Sequence, residues 1–515
     1  MINFLSPPLL LAGLLALLLL CSLWKTSKRG GNLPPQAAGA WPLLGHLPLL
    51  SGQIPVHRVL GALADKHGPI FTIRLGLHPA VVISNWEAVK ECFTANDKAL
   101  ANRPTSNAGV HLGYNYAAFG FTHGSYWREI RKLVVIELLC HRRLEALKHV
   151  QVSELHTSIN ELYKSIQENP GKVVISDWVE QLTLNIIVMM IAGKRYAESS
   201  KDSAESQKAR SFRKVIKEFM HISGQFVVSD AIPVRPLEWV DFQGHIKSMK
   251  RISKEVSDIA ESWIDEHKKG TLGNTEQDFI DVMLAKVDDR YTSYGHSRET
   301  IIKATVTNLI LAGSDTTSVH LTWVLSVLLN NKPIMRRAQE EIDLKVGKER
   351  WVEESDITNL DYLQAIVKET LRLYPPGPLS VPHQATEDCI VDGYLIPKGA
   401  RLLVNLWKLH RDPKVWDEPD EFIPERFLTS HAEVDFKGQH FEFVPFGSGR
   451  RSCPGITFAM QVTHLTLARL LQGFDFATPA NIPVDMTEGQ GVTMPKATPL
   501  EVIITPRLPG LLYKD

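Results

Sequence analysis

The residues best suited to chemistry lie near the C-terminus, in Pro445-Phe446-Gly447-Ser448-Gly449-Arg450-Arg451-Ser452-Cys453-Pro454-Gly455. A cysteine sulfur binds iron as the thiolate, and a helix N-terminus with guanidinium groups nearby favours that ionised form. Helical periodicity from Ile456 to Leu471 supplies the first, Arg450 and Arg451 the second. Gly447, Gly449 and Gly455 allow positive φ and a close approach of backbone to a flat ligand. Phe446 suits packing on that ligand's face, and Arg451 suits pairing with an anionic group at its edge. A cysteine met alone reads as a small buried hydrophobe. The company of Cys453 points to a metal instead.

Three more constellations stand out. Ala312-Gly313-Ser314-Asp315-Thr316-Thr317 interrupts an apolar run that spans Ile301 to Leu329. Thr hydroxyls mid-helix bond back to the i−4 carbonyl and bend the helix, and an acid among apolar residues is costly without a partner or a role. Glu369 and Arg372 are three apart on one helix face; such a pair is ordinarily a surface ion pair worth little. Trp127 and Arg131 are four apart, so an indole N–H and a guanidinium share a face and can hold a carboxylate.

Those groups must be positioned by a large body. The 515 residues contain no internal repeat and no Gly/Ser- or Pro-rich linker after residue 50, which favours one large core or fused lobes. Formal net charge is zero, so bulk charge implies neither nucleic acid nor an acidic partner. Five widely spaced cysteines (Cys21, Cys92, Cys140, Cys389, Cys453) without CxxC argue against a disulfide framework and for a reducing compartment. Leu9–Trp24 is almost wholly apolar and, with Ile2–Leu5, long enough to span a bilayer. Lys25, Lys28 and Arg29 follow it, no basic residue precedes it, and no small-residue cleavage site follows; the reading is a retained anchor with those cations in the cytosol. Leu33-Pro34-Pro35 and Gly39–Gly45 form a stiff extended segment.

Ile70–Leu75 and Ala80–Ser84 read as strands joined by a turn around Gly76–Pro79, and Trp86–Ala95 as a helix. Ala101–Gly124 reads as a loop carrying Tyr114, Tyr116, Phe119 and Phe121. Leu144–Leu284 reads as amphipathic helices broken by polar loops at Glu198–Ala209 and Gly270–Gln277. A helix from Arg298 to Asn330 would be roughly 48 Å long, enough to cross a domain. Leu402–Leu406 and Leu500–Ile504 look like strands.

The run Phe446-x-x-Gly449-x-Arg451-x-Cys453-x-Gly455 resembles the haem-binding loop of the cytochrome P-450 monooxygenases at every signature position. The resemblance extends along the chain in order: anchor, proline-rich hinge (with Ala38 where many relatives carry proline), Trp127-Arg128-x-x-Arg131, Ala312-Gly313-x-Asp315-Thr316-Thr317, Glu369-x-x-Arg372 and Pro424-Glu425-Arg426-Phe427. The stretches Trp351–Leu379 and Val240–His245 are similar to the plant microsomal branch with nicotine demethylases, flavone and furanocoumarin hydroxylases and alkaloid hydroxylases.

The resemblance implies a mainly α fold with a smaller β region, divided into a membrane anchor (1–30), a hinge (31–45) and a haem-thiolate catalytic domain (46–515). It implies Cys453 as axial thiolate to haem b, with Trp127, Arg131, His383, Phe446, Arg451 and Gly455 around the porphyrin. Asp315 and Thr316 would deliver protons to bound oxygen, and Glu369, Arg372 and Arg426 would form a buried structural triad. Tyr114, Phe119, Phe121, Ala312, Val381 and Val492 would line the pocket, Phe212–Phe226 a substrate channel, and Gly491–Met494 a turn that dips into it. The implied partners are an NADPH-dependent flavoprotein reductase, docking on Arg128, Lys132, Arg142 and Arg143, together with a lipid bilayer and a small hydrophobic or aromatic substrate. The implied place is the endoplasmic reticulum membrane, single-pass, with the catalytic body cytosolic. Two rivals are a haem-thiolate isomerase or dehydratase that needs no reductase and a non-enzymatic haem sensor. The Asp315-Thr316 pair counts against the first, the aromatic pocket and basic face against the second.

Overall fold

The computed structural model describes Gly13 and residues 31–196, 204–232, 241, 243–270 and 277–514. The expected anchor, apart from Gly13, the first half of the polar loop expected at Glu198–Ala209 and most of that at Gly270–Gln277 lie outside the described residues; from Ala204 onward the first is helix, not loop.

Among the described residues nine strands form three small sheets. β1 (Ile70–Leu75), β2 (His78–Ile83), β4 (His383–Gln384) and β7 (Arg401–Val404) make a four-stranded sheet in the order β1-β2-β7-β4. β1 and β2 are antiparallel with Ile70 opposite Ile83, and β2 and β7 are parallel with Val82 beside Leu403. β3 (Lys172–Val174), β8 (Phe474–Ala477) and β9 (Glu501–Pro506) form a second sheet, and β5 (Cys389–Val391) and β6 (Tyr394–Ile396) a hairpin. The turn after β1 needs Gly76: its φ is +66°, and a Cβ there would lie 2.5 Å from the Ala231 carbonyl oxygen. The proline segment runs against the β1 edge, with Thr72 N–H on the Pro35 carbonyl (2.8 Å) and Ala37 N–H on that of Thr72 (2.9 Å).

Helices make up most of the rest. Six position the site: α1 (Gly124–Lys132), α2 (Ile175–Ala192), α3 (Ala204–Ser223), α4 (Arg298–Asn330), α5 (Asp361–Leu373) and α6 (Ile456–Gly473). α4 begins where the Ser297 hydroxyl caps Thr300 N–H at 3.1 Å, and it is buried along most of its length, packed on α2 and also contacting α3, α5 and α6. Its polar centre does not interrupt it. Ser314 and Thr316 donate to the carbonyls of Ile310 and Ala312, so the expected back-bonds form while the helical ladder continues. Among the described residues α2 is the one helix long and apolar enough to cross a membrane, but it is largely buried against α4. A helix apolar on all sides and covered by protein is a core helix.

Several boundaries shift. The second strand starts earlier, at His78, because Gly76 and Leu77 complete the turn. β7 stops at Val404, since the Asn405 side chain accepts from Lys408 N–H and caps the helical turn Leu406–Leu409. The helix from Trp86 ends at Phe93. The four described cysteines, Cys92, Cys140, Cys389 and Cys453, are all free.

Candidate active site

The cysteine loop takes its shape from backbone. Gly447 and Gly449 adopt φ of +68° and +67°, which side chains disfavour. Gly455 does not: its φ is −96°, as the cap residue of α6. What glycine supplies there is proximity. Its N–H donates to Cys453 Sγ at 3.4 Å, and a Cβ would sit 3.9 Å from the sulfur. Cys453 N–H in turn holds the Phe446 carbonyl at 2.9 Å, and the Phe446 ring meets Phe436 edge-on.

The sign expected for the thiol is reversed. Burial pushes Cys453 upward, and the Gly455 N–H and the Arg131 charge only oppose that shift. Desolvation outweighs one donor and one cation. Ionisation would therefore have to come from a coordinated cation, which deprotonates a thiol outright.

Beside the sulfur stands a cluster of cations. Arg131 Nη2 donates to the Ser452 carbonyl at 2.6 Å, and Arg451 donates to the carbonyls of Ala101 (2.7 Å) and Thr122 (2.8 Å). The Arg451 guanidinium lies 3.8 Å from the Trp127 ring centre, so Trp127, Arg131 and Arg451 do meet. Arg103, which sequence reasoning missed, donates to the carbonyls of Val381 and Pro382, while its buried Nε has no partner among the described residues. Burial, then mutual repulsion, lowers Arg451 and Arg103. His383 is buried, with Nδ1 on the Leu100 carbonyl at 2.8 Å, and burial beside Arg103 and Arg451 pushes it down to about 3. It is neutral and donates through Nδ1. Every hydrogen-bond partner described for the three arginines is backbone or a hydroxyl, never a carboxylate. A ligand with two carboxylates at its edge and a cation at its centre fits both the guanidiniums and the sulfur.

The triad holds this loop from behind. Arg372 grips Glu369 in a fork at 2.7 and 2.8 Å, and Arg426 Nε reaches Glu369 Oε1 at 3.1 Å; all three side chains are buried. Arg372 also donates to the carbonyls of His410, Pro419 and Glu421. The His410 ring accepts Val444 N–H at 3.1 Å, two residues before Phe446. Burial pushes His410 down to about 3, so it can accept there. The triad thus reaches the cysteine loop through His410, which caps the helical turn Leu406–Leu409 and carries no signal of this role in the sequence.

On α4, Ala312 is exposed and Gly313, Asp315 and Thr316 beside it are only half-buried, whereas Leu309–Leu311 and Ser314 are buried, as expected where one side of a core helix faces a pocket. Asp315 Oδ2 accepts from the Thr493 hydroxyl at 2.8 Å, and burial raises the acid to about 6, with Thr493 opposing and Glu180 adding to the shift. A small cavity beside it brings Glu180, Arg213 and Lys217 together with Leu184 and Ile216, and Lys217 pairs with Glu180 at 2.7 Å. An acid half-ionised near pH 6 can pass protons.

The aromatic loop is fastened rather than free. Tyr114 bridges Ser257 (2.9 Å) and Thr307 (3.0 Å) through its hydroxyl, and Asn308 on α4 holds Gly120 N–H at 2.8 Å. Tyr114, Asn115 and Tyr116 all have positive φ, a strained run. Phe119 is buried and Phe121 partly so, whereas Val381 and Val492 are exposed.

The chain has counterparts among known proteins. A family profile described as "Cytochrome P450" matches residues 34–502. The chain is 54% identical to vinorine hydroxylase of Rauvolfia serpentina over 98% of both chains. It is 52% identical to a nicotine N-demethylase of Nicotiana tomentosiformis, over 95% of this chain and 96% of the relative. A zebrafish cytochrome P450 solved with progesterone, 24% identical, superposes with a TM-score of 0.74 and covers 88% of this chain and 100% of its own.

Proposed function

The chain belongs to the cytochrome P450 family and is a monooxygenase acting on plant specialised metabolites, and we propose that it is an NADPH- and O2-dependent enzyme that hydroxylates or oxidatively demethylates a small hydrophobic metabolite. Alkaloids lead the substrate classes, because the names of both plant relatives point there; flavonoids, coumarins and terpenoids follow. The observation that carries the reading is that the loop of Cys453 lies beside three guanidiniums that have no carboxylate partner among the described residues.

In this reading the family's haem, when bound, supplies the oxygen-activating redox chemistry. The chain's own residues do the rest. Cys453 Sγ ligates the metal, helped by the Gly455 N–H. Arg103, Arg131 and Arg451, with Trp127 and His383, hold the carboxylate edge. Glu369, Arg372 and Arg426 keep the loop rigid. Thr316, its own proton turned to the Ala312 carbonyl, leaves its lone pairs to hold a water, and Asp315 exchanges protons with that side from the cavity it shares with Glu180 and Lys217. Ala312, Val492, Val381, Phe121, Phe119 and Tyr114 bound the substrate space.

Electrons come from a membrane-bound flavoprotein reductase. Its docking face comprises exposed Arg128, Lys132 and Arg142 together with Val135 and Ile136, exposed on a π-helical turn at Leu133–Leu138, while Arg143, the fourth cation expected there, is half-buried and donates to the Gln277 carbonyl. The division into anchor (1–30), hinge (31–45) and catalytic body (46–515) and the location in the endoplasmic reticulum membrane belong to the same proposal. They rest on Leu9–Trp24 and the cations after it.

The test is spectroscopic first. The reduced protein with carbon monoxide should show the red-shifted thiolate band, and Cys453→Ala should lose it. Reconstituted with reductase, the enzyme should consume oxygen only with NADPH; turnover of a peroxide without reductase would select the isomerase reading.

A further inference from the structure

The Asp315 carboxyl is held by a residue 178 positions away, Thr493, in the turn Gly491–Met494. Thr493 is buried, while its neighbour Val492 is 41% exposed. Met494, on the other side, is clamped: its N–H donates to the Pro376 carbonyl at 2.9 Å, and its carbonyl accepts the Trp323 indole N–H at 2.7 Å. Trp323 lies on α4, the helix that carries Asp315. The turn also abuts Gly224, where a Cβ would lie 2.8 Å from Val492 N and 2.9 Å from its Cγ2. Gly224 directly follows α3, whose Arg213, Ile216 and Lys217 line the cavity at Asp315. One residue of the turn is thus fixed to the long helix and another is open, with the acid's partner between them.

We propose that Thr493 is a positioning residue for Asp315, and that its turn relays contact at Val492 to that acid, so that substrate in the pocket sets when the acid takes up its proton. This rests on the reading of Asp315 as the proton-delivering group. The direction follows from chemistry. A hydroxyl that donates to a carboxylate favours the ionised form, so withdrawing it lets the acid keep its proton to higher pH. The other charged groups at the carboxyl are Glu180 on α2, which opposes ionisation, and Lys217 on α3, which favours it, with Arg213 also lining the cavity.

The measurement is the pH titration of the Asp315 carboxyl stretch by infrared difference spectroscopy on the full-length haem-loaded enzyme, the band being assigned by its loss in Asp315→Asn. Thr493→Val should raise the midpoint by about half to one pH unit, the worth of one hydrogen bond, and Thr493→Ser should restore it. Val492→Trp, which crowds the turn as a substrate would, should raise the midpoint in the parent and add nothing in the Thr493→Val background; Val492→Ala should leave it unchanged. An unmoved midpoint in Thr493→Val overturns the positioning role, and additive shifts in the double variant overturn the relay. Because the titration is read without turnover, failure of the monooxygenase reading is seen separately, as a missing thiolate band in the carbon monoxide complex.

Discussion

Glu369→Gln removes one charge and almost no volume from the triad. Glu369 Oε1 accepts three hydrogen bonds, from Arg372 Nη2, Arg426 Nε and Ile423 N–H, while Oε2 accepts one, from Arg372 Nε at 2.7 Å. A glutamine oxygen placed at Oε1 keeps the three, but its amide nitrogen then faces the Nε–H of Arg372, donor against donor. The other hydrogen-bond partners described for Arg372 and Arg426 are backbone carbonyls, so two buried guanidiniums lose their counter-charge. Stranding buried charge in this way costs about 3–5 kcal/mol, against a typical total of roughly 5–15. Urea unfolding of the haem-loaded protein, followed in parallel by far-ultraviolet circular dichroism and by the thiolate carbon monoxide band, measures it. The band should be lost at lower urea than the helical signal, because the triad reaches the cysteine loop through His410 and Val444. Adding Arg426→Met should recover part of the loss by removing one stranded charge. A cost below about 1 kcal/mol, or a thiolate band that survives to the global midpoint, refutes the reasoning.

Thr316→Ala should keep haem and the carbon monoxide band but oxidise NADPH faster than it forms product, with peroxide making up the difference; unchanged coupling counts against the role of its lone pairs. Asp315→Asn should become more stable than the parent as pH rises. The parent's acid is held protonated to about pH 6 in the fold but ionises near its ordinary value when unfolded, so the parent loses stability between about pH 4 and 6 and the variant does not. Thermal melts across that window read the difference, which should level off above pH 6. Charge reversal of Arg128 and Lys132 should raise the KM for reductase several-fold and steepen with falling salt, while the carbon monoxide spectrum stays as in the parent.

Legibility followed the reach of each interaction along the chain. The cysteine loop, Glu369 with Arg372 and Trp127 with Arg131 are local patterns, and the structure brings each together as spacing alone requires. The long helix was legible because 33 residues of apolar character have few other uses. What escaped depends on distance in sequence. Arg103 joins the other guanidiniums from a different loop, His410 matters only through Val444, and Thr493 finds Asp315 across 178 residues of sequence. Two errors were of sign rather than place. Gly455 looked like a positive-φ residue because two neighbours are, yet its use is nearness to sulfur. The Cys453 thiol looked easy to ionise because Arg450 and Arg451 stand beside it in sequence, whereas the cation that lowers it is Arg131, Arg450 pairs with Asp97, and burial outweighs both the cation and the Gly455 N–H.

That burial has a measurable consequence on both sides of the loop. The chain alone raises the Cys453 thiol and lowers Arg103, Arg131 and Arg451, which marks in each case a charge whose burial outweighs whatever opposite charge the chain supplies. A ligand that brings a cation to the sulfur and two carboxylates to the guanidiniums relieves both, so its binding free energy becomes stability of this face. Masking the carboxylates separates the two contributions. Haem dimethyl ester keeps the iron and the ring but offers neutral edges, and it should transfer to an acceptor protein at least about tenfold faster than haem itself, one charge-assisted bond being worth roughly 1.5–3 kcal/mol. Arg103→Met should speed the loss of haem and leave the loss of its ester unchanged. Equal rates for haem and ester would mean that the three arginines serve the backbone carbonyls they touch and nothing more.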